Sequence, residues 1–358
     1  MNCCCGRRRV KLYIPFLWVT LFFWVFLAVN TIAPPSAAGQ NTEQPASDGS
    51  GIFTLHFEND VLGVDDSDRH YTNGIQLAWL SGEEKVPFSL TDWARGTFMF
   101  QSSNRIRIDY ALGQNLYTPE DIESTEVVED DRPYAGWLHA NFGLIGCDEK
   151  TLNVLNLSVG IVGPSAFGKE LQKWFHRNID SPDPNGWDNQ LHDELALMAV
   201  YQRQWQQLLH VKKVPLLGPL GVELDVAPHL GASLGNVFTY ANAGFTVRFG
   251  GNLDVDTGPV RIMPSPPGAG FRASKRFCWY LFAGVDGRLV ARNIFLDGNT
   301  FGSSHSVTRI PAVGDAYWGL SLAGFGVRAS ATYVLRSPEF TEQRRPDHFG
   351  AISISVRF

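Results

Sequence analysis

The stretch H-F-G-A-I-S-I-S-V-R-F (348–358) decides the reading of the fold. Ile352, Ile354, Val356 and Phe358 alternate with Ser353, Ser355 and Arg357, the period of a strand with one apolar and one polar face. The sequence ends flush with this strand, on an aromatic residue. In a transmembrane β-barrel the last strand closes on the first, so that no edge lies open in lipid, and such an ending is common there. A soluble β-sandwich or lipocalin-like barrel shows the same alternation more weakly.

Working outward, the alternation recurs in segments of about ten residues, the length a tilted membrane strand needs. In R-I-R-I-D-Y-A-L-G (105–113), Ile106, Ile108, Tyr110 and Leu112 oppose Arg105, Arg107 and Asp109. In 152–162, Leu155, Leu157, Val159 and Ile161 oppose Asn156, Ser158 and Gly160. The segment 194–205 sets Leu195, Leu197, Ala199 and Tyr201 along one side, and the pattern returns at 219–230, 236–249, 277–287, 289–297, 315–323 and 325–335. F-T-L-H-F-E-N-D (53–60) and Y-T-N-G-I-Q-L-A-W-L (71–80) read as a first hairpin joined by an acidic loop with Asp65, Asp66 and Asp68. The expectation is an all-β chain: a transmembrane antiparallel β-barrel of about 12 strands over 52–358, with short helical segments in its loops. The 35 glycines and 10 tryptophans suit close-packed strands and aromatic girdles.

The first 38 residues read differently. Arg7, Arg8, Arg9 and Lys11 precede an apolar run from Leu12 to about Ala33, and P-P-S-A-A-G-Q follows. This is the pattern of a secretory signal peptide cleaved after Ala38, although the run is also long enough for a membrane helix. Residues 39–51 form a polar linker, and the mature chain is expected in the bacterial outer membrane. Cleavage removes four cations and no acid, taking the formal net charge from −6 to −10, which argues against a nucleic-acid partner. Cys147 and Cys278 remain, and whether they pair is open.

One interval breaks the strand pattern. In S-A-F-G-K-E-L-Q-K-W-F-H-R-N-I (165–179), Phe167, Leu171, Trp174 and Phe175 have helical spacing, and Gln172 and His176 share a stripe near the other side. A short helix at the barrel mouth is expected. No G-x-S-x-G, H-E-x-x-H or C-x-x-C motif occurs, so the usual serine-hydrolase and zinc signatures are missing. A histidine can still activate water directly if another group stabilises the oxyanion. The hard-oxygen candidates are Asn59, Asp60, Asp65, Asp66, Asp68, Glu120, Asp121, Asp130 and Asp131, of a type that suits calcium but without EF-hand spacing. A solvated loop is the simpler reading of Asp65 to Asp68.

F-E-N-D (57–60), D-R-H-Y-T-N-G (68–74), L-G-Q-N-L-Y-T-P-E-D-I (112–122), D-R-P-Y-A-G-W-L (131–138), Q-K-W-F-H (172–176), G-W-D-N-Q-L-H-D-E (186–194) and the closing strand resemble the outer-membrane lipid A 3′-O-deacylase family, in the family's order. The resemblance implies a 12-stranded barrel that hydrolyses the 3′-linked acyloxyacyl ester of lipid A with calcium as cofactor. It carries the catalytic base to His176 and supporting roles to Asn59, Asp60, Thr72 and Gln172, with Asp60 as the metal ligand. The family's functional acid shortly after the histidine has no clear counterpart in S-P-D-P, where Asp183 is the nearest acid. Lys169, Lys173 and Arg177 are candidates for lipid A phosphates or ordinary solvated charges. The alternatives are an outer-membrane phospholipase and a non-enzymatic porin or structural barrel.

Overall fold

The computed structural model describes residues 49–62, 70–179, 181–212, 221–259 and 276–358. The expected signal peptide and the Asp65–Asp68 part of the first loop lie outside the described residues. Among the described residues, twelve long strands form the barrel: β1 Ile52–Asn59, β2 His70–Leu80, β3 Arg105–Thr118, β4 Ala135–Cys147, β5 Thr151–Val162, β6 Glu194–Trp205, β7 Val222–Gly235, β8 Phe238–Gly251, β9 Cys278–Asn293, β10 Ala312–Gly324, β11 Val327–Arg336 and β12 Asp347–Arg357. Each pairs antiparallel with its neighbour, β6 pairs with β7, and β1 closes on β12 from Ile52↔Arg357 to Asn59↔Gly350. A three-residue strand, Leu209–Val211, adds to the side of β7. The segments 277–287 and 289–297, expected as two strands, form the single strand β9, which continues through an irregularity between Val290 and Arg292 before ending in a short helix.

The barrel is inside out relative to a soluble protein. Leu112 and Leu289 are 63% and 67% exposed, whereas Arg328 and Asp315 on the other face are 1% and 3% exposed. A soluble β-sandwich would bury the first set, so the outward apolar face belongs in lipid. No described helix is long and apolar enough to cross a membrane; the strands do so. Ile106 and Ile108 share the parity of Leu112 but are buried, because helix α1 (Phe88–Arg95) and the segment after it pack on the outer wall with Ala94 and Phe100.

The interior is filled in two layers. Near the rim where β1 ends and β2 begins, called here the upper rim, Tyr71, Tyr117, Trp137, Phe238 and Phe349 point inward around Phe295 of the short helix Ile294–Asp297. The Tyr117 and Phe295 rings stack at 3.8 Å between centroids. Arg288 and Arg336 both bind Asp315, and deeper in the lumen Asp225 takes two bonds from Arg248 while Arg328 lies 3.2 Å from Asp256. This packed interior is unlike the water-filled channel of a porin. Cys147 and Cys278 form no disulfide with each other.

Candidate active site on the outer wall

Strand parity places the first group of candidate residues. Phe53 and Leu55 of β1 are exposed on the outer wall, so Asn59, two pairs further up, faces outward too. On β2, Ile75 and Leu77 are exposed and Asn73 shares their parity. The register then shifts between Tyr71 and Asn73. Thr72 is the extra residue of this bulge, and bulges re-aim side chains. As a result Tyr71 turns inward to donate its hydroxyl hydrogen to Glu58, while Thr72 stays outward with its Oγ1 2.7 Å from Oγ1 of Thr118. Gly74 has a steric reason in the Y-T-N-G motif: its missing Cβ would come within 2.8 Å of Asn115 Nδ2 and closer still to the Tyr71 hydroxyl.

The second group arrives on a helix laid against this wall. Gly136 of β4 has the outward parity of Leu138, and a Cβ there would come 3.2 Å from Cα of Gly168. Gln114, outward on β3, donates to the carbonyl of Ala166. Helix α2 (Gly168–Ile179) therefore begins on the outside of β3 and β4 at the upper rim. The sequence placed it at the barrel mouth; its first turn lies on the outer wall instead. Its buried side carries Gln172 and His176 beside the partly buried Leu171, and its exposed side carries an aromatic ring among polar residues. Gln172 and His176 are 2% and 0% exposed, while Phe167 just before the helix and Trp174 on it are 60% and 59% exposed. The medium outside the wall is lipid, so the aromatic side turns out and the polar stripe turns in.

Asn59, Asp60, Thr72, Gln172 and His176 are thus all buried at the upper rim, where the wall meets its covering segments. Asn59 Nδ2 donates to the Thr72 carbonyl at 3.1 Å. The 3₁₀ turn Asp60–Leu62 folds over the outward side of β12, where Leu62 Cβ fills the place a Gly350 side chain would take. His176 Nδ1 lies 2.5 Å from the Pro182 carbonyl oxygen, which can only accept. The hydrogen is therefore on Nδ1, and in the neutral ring Nε2 carries the lone pair a general base needs. Asp183, beside that carbonyl, is exposed.

Other expected groups are placed elsewhere. Glu120, Asp121 and Asp130 are exposed. Asp131 is a structural residue: it accepts from the backbone N–H groups of Glu120 and Arg132, each at 2.7 Å, and lies 3.4 Å from His70 Nε2. Burial pushes its carboxyl up, but bonding to His70 and to the two amides outweighs this and holds it below the ordinary carboxylate value. Lys169 pairs with Asp188 at 2.6 Å on the surface. Among the described residues no three His, Cys, Asp or Glu side chains are grouped to hold a metal. A hard cation would depend on the Asp60 carboxylate with neutral oxygens such as the Asn59 amide and Thr72 hydroxyl, a donor set that suits calcium. Thr118, Pro182 and Trp187 were not singled out from sequence. Trp187, in the motif G-W-D-N-Q, is fully buried and donates Nε1–H to Gln172 Oε1 at 2.7 Å.

The family model described as outer membrane protein LpxR matches residues 21–358. The chain belongs to the LpxR family. A solved structure titled LpxR from Salmonella typhimurium superposes with a TM-score of 0.70 at 20% identity, covering 85% of this chain and 99% of that one. At that identity the likeness shows the shared fold. The β domain of the Bordetella autotransporter BrkA is more remote, with a TM-score of 0.41 at 10% identity over 86% of this chain and 99% of that one. No curated protein matches by sequence. As a member of the LpxR family with this barrel, the protein resides in the outer membrane.

Proposed function

We propose that the protein is an ester hydrolase that removes the 3′-linked acyloxyacyl chain of lipid A, with His176 as general base. The observation that carries this reading is the bond from His176 Nδ1 to the Pro182 carbonyl on the buried face of a helix outside the barrel. A histidine in that tautomer, held in a low-dielectric seam, is arranged to take a proton through Nε2. Longer loops of such barrels face outward, so the rim bearing the 163–193 connection is read as extracellular. A site on the outer wall at that rim is reached sideways from the outer leaflet. It suits an ester whose alcohol side is at the headgroup and whose acyl side is in the hydrocarbon. Exposed Phe167 and Trp174 suit insertion at that interface.

In this mechanism His176 Nε2 accepts a proton from a water that adds to the ester carbonyl. As the tetrahedral adduct collapses, the protonated His176 returns that proton to the leaving 3′ oxygen. The products are the acyloxyacyl acid and a free 3′ hydroxyl. Gln172 stabilises the developing oxyanion by hydrogen bonding, while Asn59 and Thr72 fix the shape of the wall beneath it. Calcium, when bound through Asp60 and neighbouring oxygens, would supply Lewis-acid polarisation of the carbonyl.

The test is mass spectrometry of lipid A from cells expressing the wild type or His176→Ala. The reading expects loss of one 3′ acyloxyacyl unit with the wild type alone. Unchanged lipid A with correctly assembled wild-type protein refutes it. Loss of phospholipid acyl chains instead would support the phospholipase alternative.

A further inference from the structure

Gln172 has two different hydrogen-bonding ends, and Trp187 holds one of them. The indole Nε1–H can only donate, so its 2.7 Å bond requires the amide oxygen of Gln172 to face Trp187. The amide nitrogen is thereby turned away. Among the described residues Gln172 Nε2 has no hydrogen-bond partner, and the side chain is only 2% exposed. Two N–H donors are thus left in a dry seam on the stripe that also carries His176, one helical turn on. Such a group is costly to a fold that makes no use of it.

Trp187 is itself held tightly. It sits in the 3₁₀ turn Gly186–Asn189, its ring 4.9 Å from that of Tyr134. Tyr134 donates its hydroxyl hydrogen to the Ile122 carbonyl at 3.0 Å. The far edge of the indole lies over Gly168, where a Cβ would come within 2.5 Å of Cη2. Tyr134 and Gly168 set the indole, and the indole sets the amide.

We propose that Trp187 is a positioning residue for hydrolysis: its N–H locks Gln172 as a donor, so that Nε2 meets the ester oxygen as it becomes an oxyanion. This rests on the esterase reading above. Released from Trp187, the amide could rotate and present its own oxygen to the anion, which repels it.

The experiment uses the full-length protein folded in detergent micelles, with hexa-acylated lipid A as substrate, and checks each variant for the folded barrel by its heat-modifiable gel mobility. Trp187→Phe keeps the ring and removes the N–H. It is expected to lower kcat about 10-fold or more with KM changed less than about two-fold, since losing a whole oxyanion donor costs roughly 10² to 10³ in kcat. In a Gln172→Ala background the same change is expected to have almost no further effect, because the two residues act as one unit. Gln172→Glu, which keeps the acceptor for Trp187 but loses the donor, is expected to be as slow as Gln172→Ala. This third variant tests the idea even if Trp187→Phe does not fold. An unchanged kcat in Trp187→Phe, an equal loss in both backgrounds, or a wild-type rate in Gln172→Glu each overturns the proposal while the wild type remains active. A folded wild type that releases no acyloxyacyl acid overturns the esterase reading and this proposal with it.

Discussion

The lumen and the outer-wall site both bury polar side chains, yet they use them in opposite ways. In the lumen two clusters pair charge with charge: Asp315 binds Arg288 and Arg336, and Asp225 takes two bonds from Arg248. Under α2 the partners are a backbone carbonyl and an indole rather than opposite charges. Pro182 takes the hydrogen of His176 Nδ1, and Trp187 takes the oxygen end of Gln172, leaving Nε2 unbonded. Paired charges stabilise and specify an interior. In the proposed hydrolysis a donor held in place beside the base serves the developing oxyanion. Under the proposed function, the first kind of contact holds the barrel and the second serves what docks against it.

The largest effect that would sharpen this contrast is on the base. His176→Ala should lower the initial rate of acyloxyacyl release by about 10² to 10⁴, the usual worth of a general base, with no change in unfolding midpoint. A matching loss of stability would mean that His176 belongs with the lumen residues. Next comes the metal. Chelation should abolish release and added calcium restore it, while Asp60→Asn should raise the calcium concentration needed by about 10-fold or more, as expected when a site loses its charged ligand. Activity untouched by a chelator would remove calcium from the mechanism.

The lumen should give the opposite result. Asp315→Asn leaves Arg288 and Arg336 without their shared carboxylate. Breaking such a buried group typically costs about 3–5 kcal/mol, so the urea midpoint should fall sharply while the rate per folded molecule stays unchanged. A slower folded enzyme would show that lumen and site are coupled.

How much of this was legible in sequence follows from the same physics. Strict alternation at Phe53, Leu55, Leu77 and Leu112 gave the strands and the membrane, and the exposure of Phe53 and Leu55 then showed which side Asn59 takes. The bulge at Thr72 was hidden, since one extra residue does not alter composition but reverses the facing of Tyr71. The division of β9 into two segments fell at Asp286-Gly287-Arg288, a polar run that reads as a turn but whose Asp286 and Arg288 are buried in the lumen on a continuous strand. Helical spacing revealed α2 but not its orientation, because an apolar stripe turns toward the core only where the outside is water. Spacing paired Gln172 with His176, and family resemblance supplied the roles expected of them. The Pro182 carbonyl that accepts from His176 Nδ1 could not be read from side-chain patterns, because any residue can supply a backbone carbonyl.

The smallest predicted effect concerns the loops that cap the lumen. Arg132 donates to Glu339 at 2.8 Å, and its guanidinium lies over the rings of Tyr117 and Phe340. Burial pushes the Glu339 carboxyl up, but the charges of Arg132 and Arg336 outweigh burial and hold it below the ordinary glutamate value. A carboxyl depressed in the folded state contributes stability that is fully present above its unfolded pKa and is lost as pH falls through the folded one. From neutrality down to about pH 5 this contribution is constant, and it declines below the ordinary carboxylate range near pH 4. Glu339→Gln cannot titrate, so it should be less stable than the wild type at pH 7, and the gap should narrow at pH 3. Thermal unfolding of both proteins at the two pH values checks this. A constant gap would place the acid sensitivity of the cap elsewhere, with Asp131 beside His70 the next carboxyl to replace.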